Sequence, residues 1–128
     1  MDSTLDGPIE LALPADTRLL RLVRLVASGL ASTAGFDVDE LDDLRIAVDE
    51  AVASLLEGGD GTRLALRFDV GESDVAMSGT TPVNPATSLD ADRVELSTQI
   101  LAAVCDDHAL DVTDGNVRVR IAKRRADK

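Results

Sequence analysis

The segment from Asp37 to Gly59 has the pattern of one amphipathic helix with both ends marked, and the rest of the chain must fold around it. Asp37 is a good N-cap, and Glu40, three positions later, completes a capping box. Gly58 and Gly59 predict the C-terminal stop, where we expect a left-handed residue. Apolar side chains recur at helical spacing between these ends, at Leu41, Leu44, Val48, Ala51, Val52 and Leu55. A domain that contains this helix has to bury the side that carries them.

The same helix has a second side that is partly polar. At about 100° per residue, Glu50 and Ser54 lie one turn apart and away from the apolar stripe. Any function that this helix carries is therefore expected on that second side.

Strand and helix patterns on both sides of this segment predict the other elements. In chain order they are a strand at 9–13, a helix at 16–34, the central helix, a hairpin at 63–79, a helix at about 92–105 and a hairpin at 110–121. We expect the helix at 16–34 to bury Leu19, Leu22, Val23, Val26 and Leu30. For the third helix we expect a capping box at Asp92 and Glu95, and a core stripe of Leu96, Ile100, Ala103 and Val104.

These elements predict an α+β fold, a two-layer sandwich with about three helices on one face of a mostly antiparallel five-stranded sheet. We divide the chain into a flexible N-terminus at 1–7, one domain at 8–124 and a basic tail at 125–128.

Composition and charge exclude several classes of function. The chain has 128 residues, with 13 basic and 24 acidic side chains and a net charge of −11, which opposes binding to a phosphate backbone. Aromatic residues make up only 2%, so no platform for stacking bases is expected. We therefore predict no nucleic-acid partner, and an acidic surface that suits a basic protein better.

The single cysteine and the hydropathy pattern also limit the possibilities. Cys105 excludes an intramolecular disulfide and a multi-cysteine metal site, and we expect it to be a small buried residue. No signal peptide and no apolar run near about 18 residues is present, so we expect a cytoplasmic protein without a membrane span.

Two motifs and the order of elements carry a resemblance to a known family. The first motif is the segment Leu11-Ala12-Leu13-Pro14, followed by a helix that carries Arg21 and Arg24. The second is Asp43-Leu44-Arg45-Ile46-Ala47-Val48-Asp49-Glu50-Ala51 in the central helix. Together with the order of elements over 8–124, these motifs resemble the anti-sigma factor branch of the GHKL (histidine kinase-like) ATPase superfamily. The resemblance implies the histidine kinase-like ATPase fold and a bacterial regulator of transcription that binds a sigma factor. Many members also use Mg-ATP to phosphorylate an anti-anti-sigma partner.

The resemblance implies a nucleotide site, but this sequence departs from its pattern at several positions. Glu50 matches the family's catalytic glutamate, whereas the asparagine that holds magnesium is replaced by Ser54. The aspartate that binds adenine corresponds to Ser78 or Gly79, neither of which has a carboxylate. No glycine occurs between Thr80 and Ala109, where the family has a glycine-rich lid. We interpret these residues as a degenerate site: Glu50 would be catalytic if the protein is active, Ser54 would be the metal position, and Ser54, Ser78 and Gly79 would be the cofactor-binding positions.

Each of these residues also has a plain structural interpretation. Glu50 is as well explained by a solvated helix face, and Ser54 by packing beside the sheet. The single histidine, His108, is expected at the surface, and Asn84 in a turn. Arginines on the helices are expected to pair with nearby acids.

Two functions from different classes follow. We favour a regulator that binds a sigma factor or an anti-anti-sigma protein, with nucleotide binding degenerate or lost and no bound cofactor expected. The alternative is an active Mg-ATP-dependent serine/threonine kinase of the same family. A third, weaker hypothesis is a structural or dimerisation domain cut from a larger regulator. The short termini argue against it, because they lead us to expect a complete chain.

The resemblance also suggests where partners bind. Homodimers are common in the family, and partners usually contact the first strand, the first helix and the central helix. Candidate contact residues on this chain are Asp39, Asp42, Asp43, Arg18, Arg21 and Arg24.

Overall fold

The computed structural model describes residues 5–86 and 89–126. Its strands are Ile9–Pro14 (β1), Arg63–Val70 (β2), Asp74–Pro82 (β3), Asp107–Thr113 (β4) and Asn116–Arg124 (β5). Its helices are Leu20–Thr33 (α1), Val38–Gly58 (α2) and Ala91–Val104 (α3), and a 3₁₀ turn at Thr17–Leu19 precedes α1. Residues 1–4 of the predicted N-terminus and 127–128 of the predicted basic tail lie outside the described residues, as do 87–88 of the loop before α3.

The five strands form one antiparallel sheet in the order β1-β2-β3-β5-β4, covered by helices on one face. Burial alternates along β2 and β3, because successive side chains point to opposite faces. The buried side contributes Leu64, Leu66, Phe68, Val75, Met77, Val119 and Ile121 to the core against the helices. The predicted fold class is confirmed.

The start of α2 is held from two directions. Asp37 and Glu40 form the predicted capping box, with both hydrogen bonds at 2.8 Å. The second carboxylate oxygen of Glu40 accepts the backbone N–H of Ala126, which follows β5. Nζ of Lys123 lies 3.2 Å from the carboxylate of Asp43. The basic C-terminal segment therefore packs on the acidic first turns of α2.

The end of α2 differs from the prediction. Gly59 has φ −85° and ψ 171°, so the helix stops in an extended residue and the predicted left-handed stop is wrong. Both glycines instead lie in closely packed surroundings. A Cβ on Gly58 would lie 3.0 Å from Leu89 and from Val117, and one on Gly59 would lie 2.7 Å from Thr81.

The buried faces of α1 and α3 agree only in part with those predicted. On α1 Val23 is buried as predicted, and the predicted Leu19, Val26 and Leu30 pack against the core. Ala27 and Ala31 are buried as well, whereas the predicted Leu22 is wrong because it lies on the exposed side of the helix. On α3 the N-cap is Asp90, and the buried positions are Ser97 and Leu101. The predicted capping box at Asp92 and Glu95 is therefore wrong. Leu96 and Ala103 of the predicted stripe are exposed, because the helix buries Ser97 and Leu101 instead, whereas Val104 packs against the core.

Candidate functional site

The glutamate singled out by the sequence is bound by an arginine of α3. Nη1 of Arg93 donates to Oε1 of Glu50 at 2.7 Å, and Nε of the same guanidinium donates to Glu57 at 2.5 Å. Glu50 retains 12% of its side-chain exposure and Arg93 retains 21%. The pKa of Arg93 is raised, mainly by its hydrogen bond to Glu50, so the guanidinium is charged at any physiological pH. Glu50 is thus a paired carboxylate rather than a solvated one.

One turn further along α2, Ser54 is fully buried and paired with Ser97 of α3. Their hydroxyl oxygens lie 3.2 Å apart, and both side chains have no exposed surface. The helical spacing explains the arrangement: Glu50, Ser54 and Glu57 lie on one side of α2, and Arg93, Ser97 and Leu101 follow at intervals of four along α3. We call these six residues the α2–α3 seam.

Ser78 and Gly79 lie on opposite faces of β3. Gly79 is buried beneath the helices, where a Cβ would lie 2.7 Å from Leu55 and 2.9 Å from Leu66. Ser78 points to the helix-free face of the sheet. There it lines an open hollow of about 550 Å³ together with Glu10, Ala12, Ala65, Arg67 and Thr80. The structure therefore brings Glu50, Ser54 and Gly79 to the same side of the sheet and leaves Ser78 on the other.

The polar groups that the resemblance assigns to Mg-ATP are engaged within the chain. The hydroxyl of Ser54 is engaged by Ser97, Glu50 is engaged by Arg93, and Leu55 fills the space above Gly79. Among the residues that the structure describes, no group of three or more His, Cys, Asp or Glu side chains could hold a metal ion. The assignments of Ser54 to a metal and of Ser78 and Gly79 to a cofactor stay predictions.

The remaining polar residues have local structural roles. Asn84 accepts the backbone N–H of Ala86 through Oδ1, the Asx turn expected of it. His108 is half-buried on β4 opposite Ile121. The thiol of Cys105 donates to the carbonyl of Leu101, and burial raises the pKa of Cys105. None of these three side chains joins the α2–α3 seam.

The outer surface of α1 and α2 combines exposed apolar side chains with ion pairs. Leu25 is 64% exposed, and Leu22 on α1 and Ile46 on α2 are exposed as well. The guanidinium of Arg24 makes two hydrogen bonds to Asp49, at 2.7 and 3.0 Å, and so joins the two helices. Leu22, Leu25, Ile46, Arg24 and Asp49 are called the α1–α2 surface below.

Arg93 and Ser97 were not singled out from the sequence. The available signal was their spacing of four residues, which matches the spacing of Glu50 and Ser54 on α2. Which helix faces α2 depends on the tertiary fold, so this spacing alone did not identify them.

None of the helices in the described part of the chain has both the length and the apolar composition that a membrane span needs.

Comparison with known proteins bears on the predicted resemblance. No protein family model matches the chain. The serine-protein kinase RsbW of Bacillus pumilus is 38% identical over 78 residues, which cover 56% of this chain and 48% of that protein. RsbW of Listeria monocytogenes is 44% identical over 52 residues, covering 41% of this chain and 33% of that protein. The chain thus spans about a third to a half of the length of the curated relatives that it matches.

A solved structure bears on the fold. The crystal structure of the RsbU and RsbW domains of a Mycobacterium tuberculosis protein matches 91% of this chain and 31% of that one. The TM-score is 0.67 at 17% identity, a level of similarity that shows a shared fold. Together with the RsbW relatives, this match confirms the resemblance that the sequence motifs predicted.

Proposed function

We propose that this chain, similar in sequence to the serine-protein kinases named RsbW, is a cytoplasmic regulator that acts by binding a protein partner. The partner would be a sigma factor or an anti-anti-sigma protein, and nucleotide binding would be degenerate or lost. The observation that carries the proposal is the engagement of Glu50 by Arg93 at 2.7 Å.

A general base has to reach the proton that it removes with a free carboxylate oxygen. Oε1 of Glu50 accepts a hydrogen bond from the guanidinium of Arg93, which also donates to Glu57. The side chain of Glu50 is nearly buried. To act on a substrate hydroxyl through Oε1, Glu50 would have to break a charge-assisted hydrogen bond, the stronger kind in proteins. The geometry therefore favours a structural role for Glu50.

The position of the metal ligand points the same way. Magnesium demands near-ideal octahedral geometry and usually keeps several waters. Ser54 has no exposed surface, and its hydroxyl is paired with Ser97 between two helices. A hydrated cation at this position would require α3 to separate from α2.

The α1–α2 surface is suited to a protein partner. Large apolar side chains are usually buried, and the exposed Leu22, Leu25 and Ile46 on these two helices are the kind of feature that an interface covers. The Arg24–Asp49 pair between the same helices supplies charges of both signs, which can fix the orientation of a bound protein. The proposal places the sigma factor or anti-anti-sigma contact here.

The second candidate function is the active kinase. The names of the relatives and the presence of Glu50 at the family's position favour it.

Calorimetric titration with Mg-ATP separates the two functions. The variants are Glu50→Ala and, as matched control, Glu57→Ala. Both remove one carboxylate from Arg93, but only Glu50 occupies the motif position. We expect no heat at millimolar ATP with any of these proteins. Micromolar binding that Glu50→Ala abolishes and Glu57→Ala retains would overturn the degenerate-site proposal and favour the kinase.

Partner binding is tested by affinity capture with purified sigma factors and anti-anti-sigma proteins from the source organism. Leu25→Asp should abolish capture, whereas Val112→Asp, a similarly exposed residue on β4, should leave it unchanged. Equal capture by both variants would exclude the α1–α2 surface. Failure of every purified sigma factor and anti-anti-sigma protein to bind the unmodified chain would refute the proposed function.

A further inference from the structure

We propose that the positive charge of Arg93 holds α3 on α2 in the absence of nucleotide. The helix α3 then stays packed in the helical layer. The proposal rests on the proposed loss of nucleotide binding and extends it to the positioning role of a single residue.

Arg93 lies in the first turn of α3 and is held at both ends. Its backbone N–H donates to the N-cap side chain of Asp90 at 2.7 Å. Its guanidinium reaches across to two carboxylates of α2 that are seven residues apart, Glu50 and Glu57. One side chain therefore joins the start of α3 to two turns of the neighbouring helix.

The charges show why a cation is needed at this position. Glu50 and Glu57 lie on the same side of α2, and Glu50 has little contact with water. Burying a carboxylate without a partner is costly, and two neighbouring carboxylates repel one another. Here a residue of the chain, Arg93, supplies the positive charge that this helix face needs. The pKa of Arg93 is raised, so this charge does not depend on pH in the physiological range.

Other contacts of the seam hold α3 in the same place. Ser97 pairs with Ser54 one turn after Arg93, and Leu101 is buried one turn later. Just before α3, Leu89 packs against the end of α2, where a Cβ on Gly58 would lie 3.0 Å from its Cγ. Contacts before α3, at its start and along its length therefore all hold the helix on α2. The ion pairs of Arg93 are the charged contacts among them.

Hydrogen–deuterium exchange of the full chain tests the proposal. Arg93→Gln should accelerate exchange of the α3 amides by about tenfold or more, because it leaves the two carboxylates unpaired and frees α3 to open locally. Arg24→Gln is the matched control, since it breaks another arginine–carboxylate pair between helices, that of Arg24 with Asp49. It should leave α3 exchange unchanged. Unchanged α3 exchange in Arg93→Gln, or equal acceleration in both variants, would overturn the proposal.

A milder variant keeps the test decisive if Arg93→Gln does not fold. Glu57→Gln removes the half-exposed partner alone, and it should accelerate α3 exchange by about two- to fivefold. Exchange is measured with and without Mg-ATP for each folded protein. Slower α3 exchange on adding Mg-ATP to the unmodified chain would contradict the proposed function. The absence of any effect of the Arg93 and Glu57 variants would contradict only the role of Arg93.

Discussion

Glu50 of α2 and Arg93 of α3 are joined by a hydrogen bond of 2.7 Å, although 43 residues separate them in the sequence. The pair connects Glu50, which matches the family's catalytic glutamate, to α3, a helix outside the two motifs. Because the guanidinium also binds Glu57, all three charged groups of this cluster belong to the chain itself. This relationship is the basis of the first prediction.

Replacing Glu50 by Ala should lower the free energy of unfolding by about 1–3 kcal/mol, because a charge-assisted hydrogen bond is lost and Arg93 keeps only Glu57. Glu57→Ala should cost less than about 1 kcal/mol, since the Glu57 side chain is 51% exposed and its ion pair is screened by water. Urea denaturation followed by circular dichroism measures both. A larger loss of stability for Glu57→Ala than for Glu50→Ala would show that the seam depends mainly on the exposed Arg93–Glu57 pair.

The paired hydroxyls of the seam should behave as a unit. Ser54→Ala leaves the Ser97 hydroxyl buried without a partner and should cost about 1–3 kcal/mol, and Ser97→Ala should cost a similar amount. The double variant removes both polar groups and should cost less than the sum of the two single changes. A double-mutant cycle by urea denaturation checks this, and additive losses would show that the two hydroxyls do not interact.

Gly79 should not tolerate a side chain. An alanine Cβ would lie 2.7 Å from Leu55 and 2.9 Å from Leu66, and both leucines are buried, so the core would have to shift to admit it. We expect Gly79→Ala to lower the unfolding free energy by about 1–3 kcal/mol through overpacking. Gly29→Ala is the control, because nothing lies within 4 Å of its position on α1. It should stabilise the protein by about 0.5–1 kcal/mol. Thermal melting of the two variants should therefore move in opposite directions.

Asp16 supplies a test of pH dependence. It caps the 3₁₀ turn, and its hydrogen bond from the Arg18 guanidinium lowers its pKa from the ordinary 3.8 to about 2. Because the folded pKa lies below the unfolded one, this carboxylate stabilises the fold above about pH 4, and the contribution is lost as the pH falls toward 2. An NMR titration of the Asp16 carboxyl should give a midpoint near 2. Arg18→Gln should move it upward, and an unchanged midpoint would show that Arg18 is not the cause.

The fold could be predicted because the apolar periodicity of most elements reflects a single buried face. The hairpin at β2 and β3 alternates cleanly, and the Asp114-Gly115 turn between β4 and β5 has the positive φ angles that this dipeptide favours. The capping box of α2 could also be predicted, because its two residues are close in the sequence and interact locally. Periodicity failed for α3, whose buried face contains an arginine and a serine and leaves Leu96 exposed.

The site was only partly predictable. Glu50 and Ser54 were identified from a motif, and helical geometry placed them together on the polar side of α2. Their partners are 43 residues away along the chain, and no local pattern shows that Arg93 and Ser97 face them. The separation of Ser78 from Gly79 follows from strand alternation, and the apolar Val75 and Met77 place Gly79 on the buried face of β3.

The carboxylate of Glu40 has a consequence for how the chain matures on the ribosome. One of its oxygens closes the N-cap of α2, while the other binds a backbone amide 86 residues later. Contacts over such a distance close late, because the loop entropy must be overcome first. During synthesis α2 would emerge with its local cap formed but with Glu40 still lacking its second contact. We infer that the first turn of α2 reaches its final rigidity only after β5 has been added to the sheet.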